Sequence, residues 1–271
     1  MFASILVELI KLKRSKIMLV ALSGPGLVAL LFFALQASGA DMKVWPFYLF
    51  AGFTAWATFM LPLTATIITT LVAQLEHGPK TWAHILALPV PKWRHFGAKA
   101  IVALGLIGAM SLLTGALLVF GGWLAGEVSS HKLVDPAPLM ALAENMMSEE
   151  DRDMSFGGDV DVALMVKEWR LVLAQRLAYV YLSAFLLIAV QLWAAFRFRN
   201  FLIPMALGVG GGFFAIFAQA SAYGIYFPWL MPFNTLGFMP EKVQMALSLG
   251  LVGGLGAILL MLIDMSRMQI K

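Results

Sequence analysis

The chain has 271 residues, of which 61% are hydrophobic and only 13% are charged, and its formal net charge is +4. A soluble domain carries about a quarter charged residues, so this composition excludes an ordinary soluble protein and indicates a polytopic, all-α membrane protein. Long uninterrupted apolar runs do not fit a β-barrel, whose strands give alternating segments of about ten residues. The absence of cysteine excludes disulfides, thiolate nucleophiles and Cys-ligated metals.

Residues 1–16 predict a helix that lies on the inner membrane surface. Phe2, Ile5 and Leu9 recur at helical spacing, and a basic run that ends at Lys16 follows them. A basic amphipathic helix of this kind docks at the headgroup boundary; the alternative is that the basic run is only a topology signal. Because the charges follow the apolar run and no small-residue cleavage site is present, we do not expect a secretory signal peptide.

Charge-free runs of about twenty residues, the length that crosses a bilayer as a helix, predict six membrane spans. In chain order these are Ile17 to about Ser38, Trp45 to about Leu75, Ala100 to about Leu124, Leu177 to Phe196, a span within Phe201 to Tyr223, and Val243 to Ile263. The residues between the last two spans are rich in Pro, Gly and aromatics. They predict an interfacial or re-entrant segment instead of a continuous helix.

The distribution of Lys and Arg predicts the orientation. The N-terminal run, the loop between spans 2 and 3, residues 197–200 and the C-terminus together hold 12 of the 19 basic residues and 3 of the 15 acidic ones. Cytoplasmic loops collect Lys and Arg, so both termini are expected inside. The acidic segment 126–176 is then extracytoplasmic. We expect residues 1–271 to form one transmembrane domain in a bacterial cytoplasmic membrane.

Several kinds of chemistry are absent from the sequence. No phosphate loop of the form GxxxxGK[ST] occurs, so ATP is not expected to bind this chain in the usual way. His77, His84 and His95 lie in one short segment, but their spacing matches no ligand pattern, and no metal site is expected. The spans carry few ionisable residues, which argues against a proton-driven carrier and an intramembrane enzyme. Topology explains the basic charge, so no nucleic-acid partner is expected.

Residues 76–96, EHGPKTWAHILALPVPKWRHF, join spans 2 and 3 on the predicted cytoplasmic side. Gly78 ends span 2, and about two helical turns with an apolar face that includes Trp82 and Ile85 follow before Pro89. A short rigid helix can dock through such anchors into a groove of a soluble partner. An interfacial loop anchored by Trp and Lys is the alternative, and the residues alone leave the two interpretations nearly even.

Motifs along the chain resemble those of ABC-2 type permeases. The chain resembles the family's intracellular loop at Glu76, Gly78, Leu86, Pro89 and Lys99. The run ELIKLKRSK (8–16) looks like its leading basic helix. The run YFPWLMP (226–232) is similar to the aromatic-Pro motif before the last span in the lantibiotic-immunity-like subgroup. The resemblance covers nearly the whole chain, although the acidic segment 126–176 departs from that subgroup.

The resemblance implies a six-helix ABC-2, or type V exporter-like, permease that forms a dimer with a second copy or a paralogue in the lipid membrane. It also implies a separate ABC ATPase subunit that holds ATP and Mg²⁺, so that this chain needs no cofactor. Residues 76–91 would form the coupling helix. The expected contacts with the ATPase are Glu76, His77, Lys80, Trp82, Ile85, Leu86, Pro89 and Lys92.

In that fold, spans 2 and 5 would line the translocation path. The expected lining residues are Thr54, Trp56, Phe59, Met60, Thr66, Phe213, Phe214, Phe217 and Gln219. This uncharged, aromatic surface suits export of a hydrophobic or amphipathic compound such as a peptide, a lipid or an antimicrobial, by a chain that is not itself an enzyme. The alternative is a non-transporting ABC-2-type module that transmits force, senses a peptide for immunity, or anchors a complex.

Overall fold

The described part of the protein is almost entirely helical. A computed structural model describes residues 2–13, 15–39, 42–77, 91–129, 131–135, 169–237 and 239–267. Within these ranges there is no β-strand, and the only extended pairing is a single bridge between Val44 and Val134. The predicted all-α fold is therefore confirmed.

Seven main helices follow one another within the described ranges. They are α1 (Phe2–Lys13), α2 (Ile17–Ala37), α3 (Trp45–His77), α4 (Lys92–Val128), α5 (Trp169–Arg197), α6 (Leu202–Ala218) and α7 (Pro240–Arg267). Five of them, α2 to α5 and α7, are long and apolar enough to cross a membrane, and α6 is a shorter apolar helix. The six predicted spans therefore correspond to α2 through α7, and the chain is a multi-pass membrane protein.

Three of the long helices are interrupted without ending. A π-helical turn, Trp56–Met60, lies within α3, and a second, Leu249–Gly253, lies within α7. Helix α5 loses its regular pattern at Ala184. In α7, Gly250 lies so close to the backbone of Ser183 that a Cβ atom would overlap it. The irregularities of α5 and α7 therefore face each other at a backbone contact that excludes side chains.

The connection between α6 and α7 is irregular, as the sequence predicts. It consists of a 3₁₀ turn, Ala222–Tyr226, and a short helical turn, Met231–Asn234. Trp229, Leu230 and Met231 are buried against the other helices. Irregular backbone at membrane depth is tolerated where it is enclosed by protein, and this packing supplies the enclosure.

Helix α1 packs on α4 and on the start of α2. Its buried residues are Glu8 and Leu12, whereas Phe2, Leu6 and Leu9 are exposed. Most of the apolar residues that predict membrane docking are therefore left uncovered by the described residues, whereas Ile5 is partly buried and packs against the core. This arrangement suits a helix that lies between the bilayer surface and the helical bundle.

Candidate functional site

Four charged side chains meet at the predicted cytoplasmic end of the bundle. The Lys99 ammonium lies 2.6 Å from the Glu8 carboxylate and 3.1 Å from that of Glu76. The Lys11 ammonium lies 2.6 Å from Glu76 and 3.1 Å from Glu8. Each carboxylate thus faces two ammonium groups. We call Glu8, Lys11, Glu76 and Lys99 the charge cluster.

Most of the charge cluster is inaccessible to solvent. Lys99 is 1% exposed, Glu76 3% and Glu8 7%. A buried charge is strongly unfavourable unless it is paired and hydrogen-bonded, and the alternation of two acids with two bases meets this requirement. Burial by itself lowers the pKa of Lys11, but its hydrogen bonds and attraction to Glu76 and Glu8 outweigh burial and raise that pKa above its ordinary value. Lys11 is therefore charged throughout the neutral pH range.

Local structure explains why these four residues meet. Glu8 and Lys11 are separated by three positions on α1, so they share one side of that helix. Glu76 is the penultimate residue of α3, and Lys99 lies two turns into α4. The neighbouring Phe96 packs its ring edge-on against Phe196 of α5, with ring centres 5.3 Å apart. The charge cluster therefore joins α1 to both helices that flank residues 78–90.

Three of the predicted coupling residues belong to the described part of the chain. Glu76 is in the charge cluster, His77 is the last residue of α3, and Lys92 is the first residue of α4. The others lie outside the described residues: Lys80, Trp82, Ile85, Leu86 and Pro89.

The partners of Glu76 were not among the predicted site residues. Glu8 and Lys11 looked like parts of a topology signal, and Lys99 entered only as a matched motif position. One feature of the sequence could have indicated that Glu8 has a structural partner: it is the single acidic residue in an otherwise basic N-terminal segment.

An apolar groove opens between the middle of α3 and the middle of α6. Its volume is about 340 Å³. The lining side chains are uncharged, and they are Thr58, Phe59, Met60, Pro62 and Leu63 of α3, with Gly208, Val209, Gly212, Phe213 and Ile216 of α6. An aromatic and aliphatic lining of this kind favours apolar ligands.

Glycines and the π turn shape this groove. The backbone of α6 comes so close to Thr66 and Gln191 at Gly208 that a Cβ atom would overlap both side chains. One turn later, Gly212 has nothing within 4 Å of its missing side chain. Small residues let membrane helices approach closely, so Gly208 sets the contact while Gly212 leaves space. The π turn Trp56–Met60 forms part of the opposite wall, and π turns are frequent at functional sites.

The predicted path residues divide into three groups. Phe59, Met60 and Phe213 line the groove. Trp56 and Thr66 are fully buried and do not line it, because each points into the bundle: the Trp56 indole donates to the Ser111 hydroxyl at 3.2 Å, and the Thr66 hydroxyl donates within α3.

The third group lies near the groove but is not part of its lining. Thr54 is two residues before the π turn and donates to the Phe50 carbonyl. Phe214 packs edge-on against Phe227, with ring centres 5.2 Å apart. Phe217 and Gln219 are exposed at the end of α6. The groove therefore retains only part of the predicted lining and adds neighbouring residues.

The fold, the groove and the charge cluster define a multi-pass helical membrane protein with an apolar mid-membrane surface. A family model described as "ABC-2 family transporter protein" matches residues 4–146, which is more than half of the chain and spans α1 to α4. The chain therefore belongs to the ABC-2 transporter family and is a permease component of an ABC transporter. No curated protein and no solved structure matches the chain.

Proposed function

We propose that this permease works as a dimer with a separate ATPase subunit in the bacterial cytoplasmic membrane and exports a hydrophobic or amphipathic compound. The groove between α3 and α6 supplies an uncharged surface for such a compound, because its walls are aromatic, aliphatic and Met side chains. ATP and Mg²⁺ are held by the partner subunit in this proposal, and this chain contributes the membrane path and the attachment point.

One helix carries the proposal, because α3 forms a groove wall and also ends in the charge cluster. Met60 lines the groove, and Glu76 pairs with Lys11 and Lys99 at the end of the same helix. About 24 Å of helix separates the two residues at 1.5 Å per residue. Because one helical segment joins the two residues, a displacement at the cytoplasmic end of α3 also moves the groove wall.

The charge cluster determines which helices move together. Glu8 binds Lys99, so α1 is attached to α4, and Glu76 attaches α3 to both. A force applied by an ATPase to residues 76–91 would move these three helices as a unit. Helix α6 is not part of the charge cluster, so the groove between α3 and α6 would change its width.

The test compares two phenylalanines of α6 in proteoliposomes that contain the permease and its ATPase subunit. Phe213 and Phe217 are 65% and 75% exposed, and only Phe213 lines the groove. Burying an aromatic side chain contributes about 1.5–3 kcal/mol, so Phe213→Ala is expected to weaken transport of a fluorescent phospholipid or amphipathic peptide about tenfold. Phe217→Ala is the matched control, and equal effects of the two variants would refute the role of the groove.

A second experiment tests the attachment of the ATPase. The double variant Trp82→Ala and Leu86→Ala alters residues outside the described part of the chain and is expected to abolish co-purification of the ATPase subunit. Intact assembly and transport would show that the coupling role is wrong. A wild-type complex that hydrolyses ATP but moves neither probe would instead favour the non-transporting module.

A further inference from the structure

A second cleft, of about 420 Å³, separates the first turns of α5 and α7. Its polar lining includes Gln175, Arg176 and Tyr179 on α5 and Gln244 on α7, and Val243 and Leu247 supply apolar surface. The α5 and α7 residues recur at helical spacing, so one side of each helix faces the other across the cleft. Both helices begin on the predicted outer side of the membrane, so the cleft opens there.

The contact between α5 and α7 closes the lower end of this cleft. Gly250 lies against the backbone of Ser183, and a Cβ atom at Gly254 would lie 2.6 Å from the backbone of Phe185 and Leu186. Side chains cannot enter between the helices at this level. Toward their N-termini the same helices are separated by the cleft. The contact between the two helices therefore bounds the cleft at its lower end.

Arg176 is the charged group among the described residues that line the cleft. Its Nη1 donates to the carbonyls of Thr235 and Gly237 at 2.9 and 3.1 Å. A guanidinium has five N–H groups, so those on Nη2 and Nε can donate elsewhere. Among the described residues no carboxylate pairs with Arg176, whereas Arg170, six positions earlier, pairs with Asp135 at 3.2 Å.

The level of Arg176 in the membrane indicates what it would bind. It directly precedes predicted span 4, which places it near the outer headgroups. Arginine is well suited to phosphate because several of its N–H groups can contact phosphate oxygens together. Gln175 and Gln244 add polar groups, and Val243 and Leu247 offer apolar surface. An anionic headgroup with an attached acyl chain matches this combination of polar and apolar walls.

We propose that this cleft binds the phosphate of an anionic phospholipid from the outer leaflet. Arg176 contacts the phosphate while its Nη1 stays on the two backbone carbonyls. One acyl chain lies along Val243 and Leu247. The site is independent of the groove between α3 and α6 and of the transported compound.

The test is native mass spectrometry of the full-length permease titrated with phosphatidylglycerol or phosphatidylcholine of equal chain length. We expect the wild type to retain phosphatidylglycerol about tenfold better, because both lipids carry the phosphate but only phosphatidylcholine brings a cationic choline next to Arg176. Arg176→Gln is expected to remove that preference. Arg170→Gln removes the same charge on the same helix outside the cleft and is expected to leave the preference unchanged. Equal loss in the two variants would overturn the proposal, because a general surface charge would then explain the binding.

A second variant leaves the contacts of Arg176 with the backbone in place. Gln244→Glu is nearly isosteric and adds a negative charge to the opposite wall, so it is expected to abolish the phosphatidylglycerol preference without lowering the melting temperature. An unchanged preference in Gln244→Glu would overturn the proposal. Millimolar inorganic phosphate is expected not to displace the lipid, because it lacks the acyl chain, and full displacement would refute the lipid as occupant.

Discussion

The charge cluster allows a sharp test by substitution of Lys99. Lys99→Met keeps a long unbranched side chain in the same space but removes a charge that is 1% exposed. Glu8 and Glu76, 7% and 3% exposed, then share only Lys11 among the four groups of the charge cluster. Within the charge cluster, the variant therefore leaves one negative charge in excess.

The size of the effect follows from this burial. Removing one partner of a buried ion pair costs about 3–5 kcal/mol, because the remaining charge stays desolvated. A domain of this size loses about 2–4 °C in melting temperature per kcal/mol, which gives a decrease of about 6–20 °C. Lys11 still faces both carboxylates, so we expect a value in the lower half of this range.

The assay is thermal unfolding of the purified permease in detergent, with Lys132→Met as the control. Lys132 pairs with Glu127 at 3.7 Å, and their side chains are 70% and 54% exposed. An exposed pair contributes less than about 1 kcal/mol, so the control is expected to shift the melting temperature by no more than about 4 °C.

Two results would refute this reasoning about the charge cluster. One is a Lys99→Met shift no larger than that of Lys132→Met. The other concerns the double variant Lys99→Met and Glu76→Gln, in which Lys11 faces one carboxylate. The charge balance within the charge cluster is then restored, so the double variant should be more stable than Lys99→Met alone. Simple addition of the two single effects would show that these residues are not energetically coupled.

Three further outcomes are expected in the same unfolding assay. Gly250→Ala should lower the free energy of unfolding by about 1–3 kcal/mol, because the new methyl group overlaps the α5 backbone. Gly256→Ala is the control: its Cβ position is open, so the free energy of unfolding should stay the same or rise slightly. Trp56→Phe should cost about 1 kcal/mol by leaving the buried Ser111 hydroxyl without its indole partner, and no loss would contradict that role. The pKa of Lys11 is raised in the folded protein, so its ion pairs stabilise the fold fully at pH values below 10.5, the ordinary pKa of lysine. This stabilisation weakens as the pH rises through the higher pKa of the folded state. Equal pH profiles of wild type and Lys11→Met above pH 10.5 would contradict this.

The membrane spans could be predicted because each is a long run without charge. The irregular connection before α7 was also predictable, because Pro, Gly and aromatic residues interrupt the apolar pattern between Tyr223 and Pro240. Both features depend on composition along a short stretch of chain. They do not require knowledge of which distant residues meet.

The charge cluster could not be predicted in the same way. Glu8 and Lys99 are 91 positions apart, and Lys11 and Glu76 are 65 positions apart. Each residue alone has an ordinary explanation as a topology signal or a loop residue. The pairing arises from the packing of α1 against α3 and α4, which a pattern of charges along the chain does not contain.

Only three of the predicted path residues line the groove, and the sequence could not show which ones because α3 is apolar around most of its circumference. An amphipathic helix shows by its pattern which side is buried, but the first half of α3 has no such pattern. The π turn Trp56–Met60 also rotates the following residues relative to a regular helix. Trp56, the first residue of the π turn, is buried in the bundle, whereas Phe59 and Met60 near its end line the groove.

The lengths of α3 and α4 have a consequence for the reach of the protein into the cytoplasm. With 33 and 37 residues, they measure about 50 and 55 Å at 1.5 Å per residue, whereas the hydrocarbon core is about 30 Å thick. Both helices therefore extend past the hydrocarbon core, and the charge cluster holds their predicted cytoplasmic ends to α1. Bilayer thickness then sets how far these ends project past the hydrocarbon core. We expect ATPase coupling to fall as acyl chains lengthen, and reconstitution in lipids of graded chain length measures this directly; coupling that is constant across the series would contradict it.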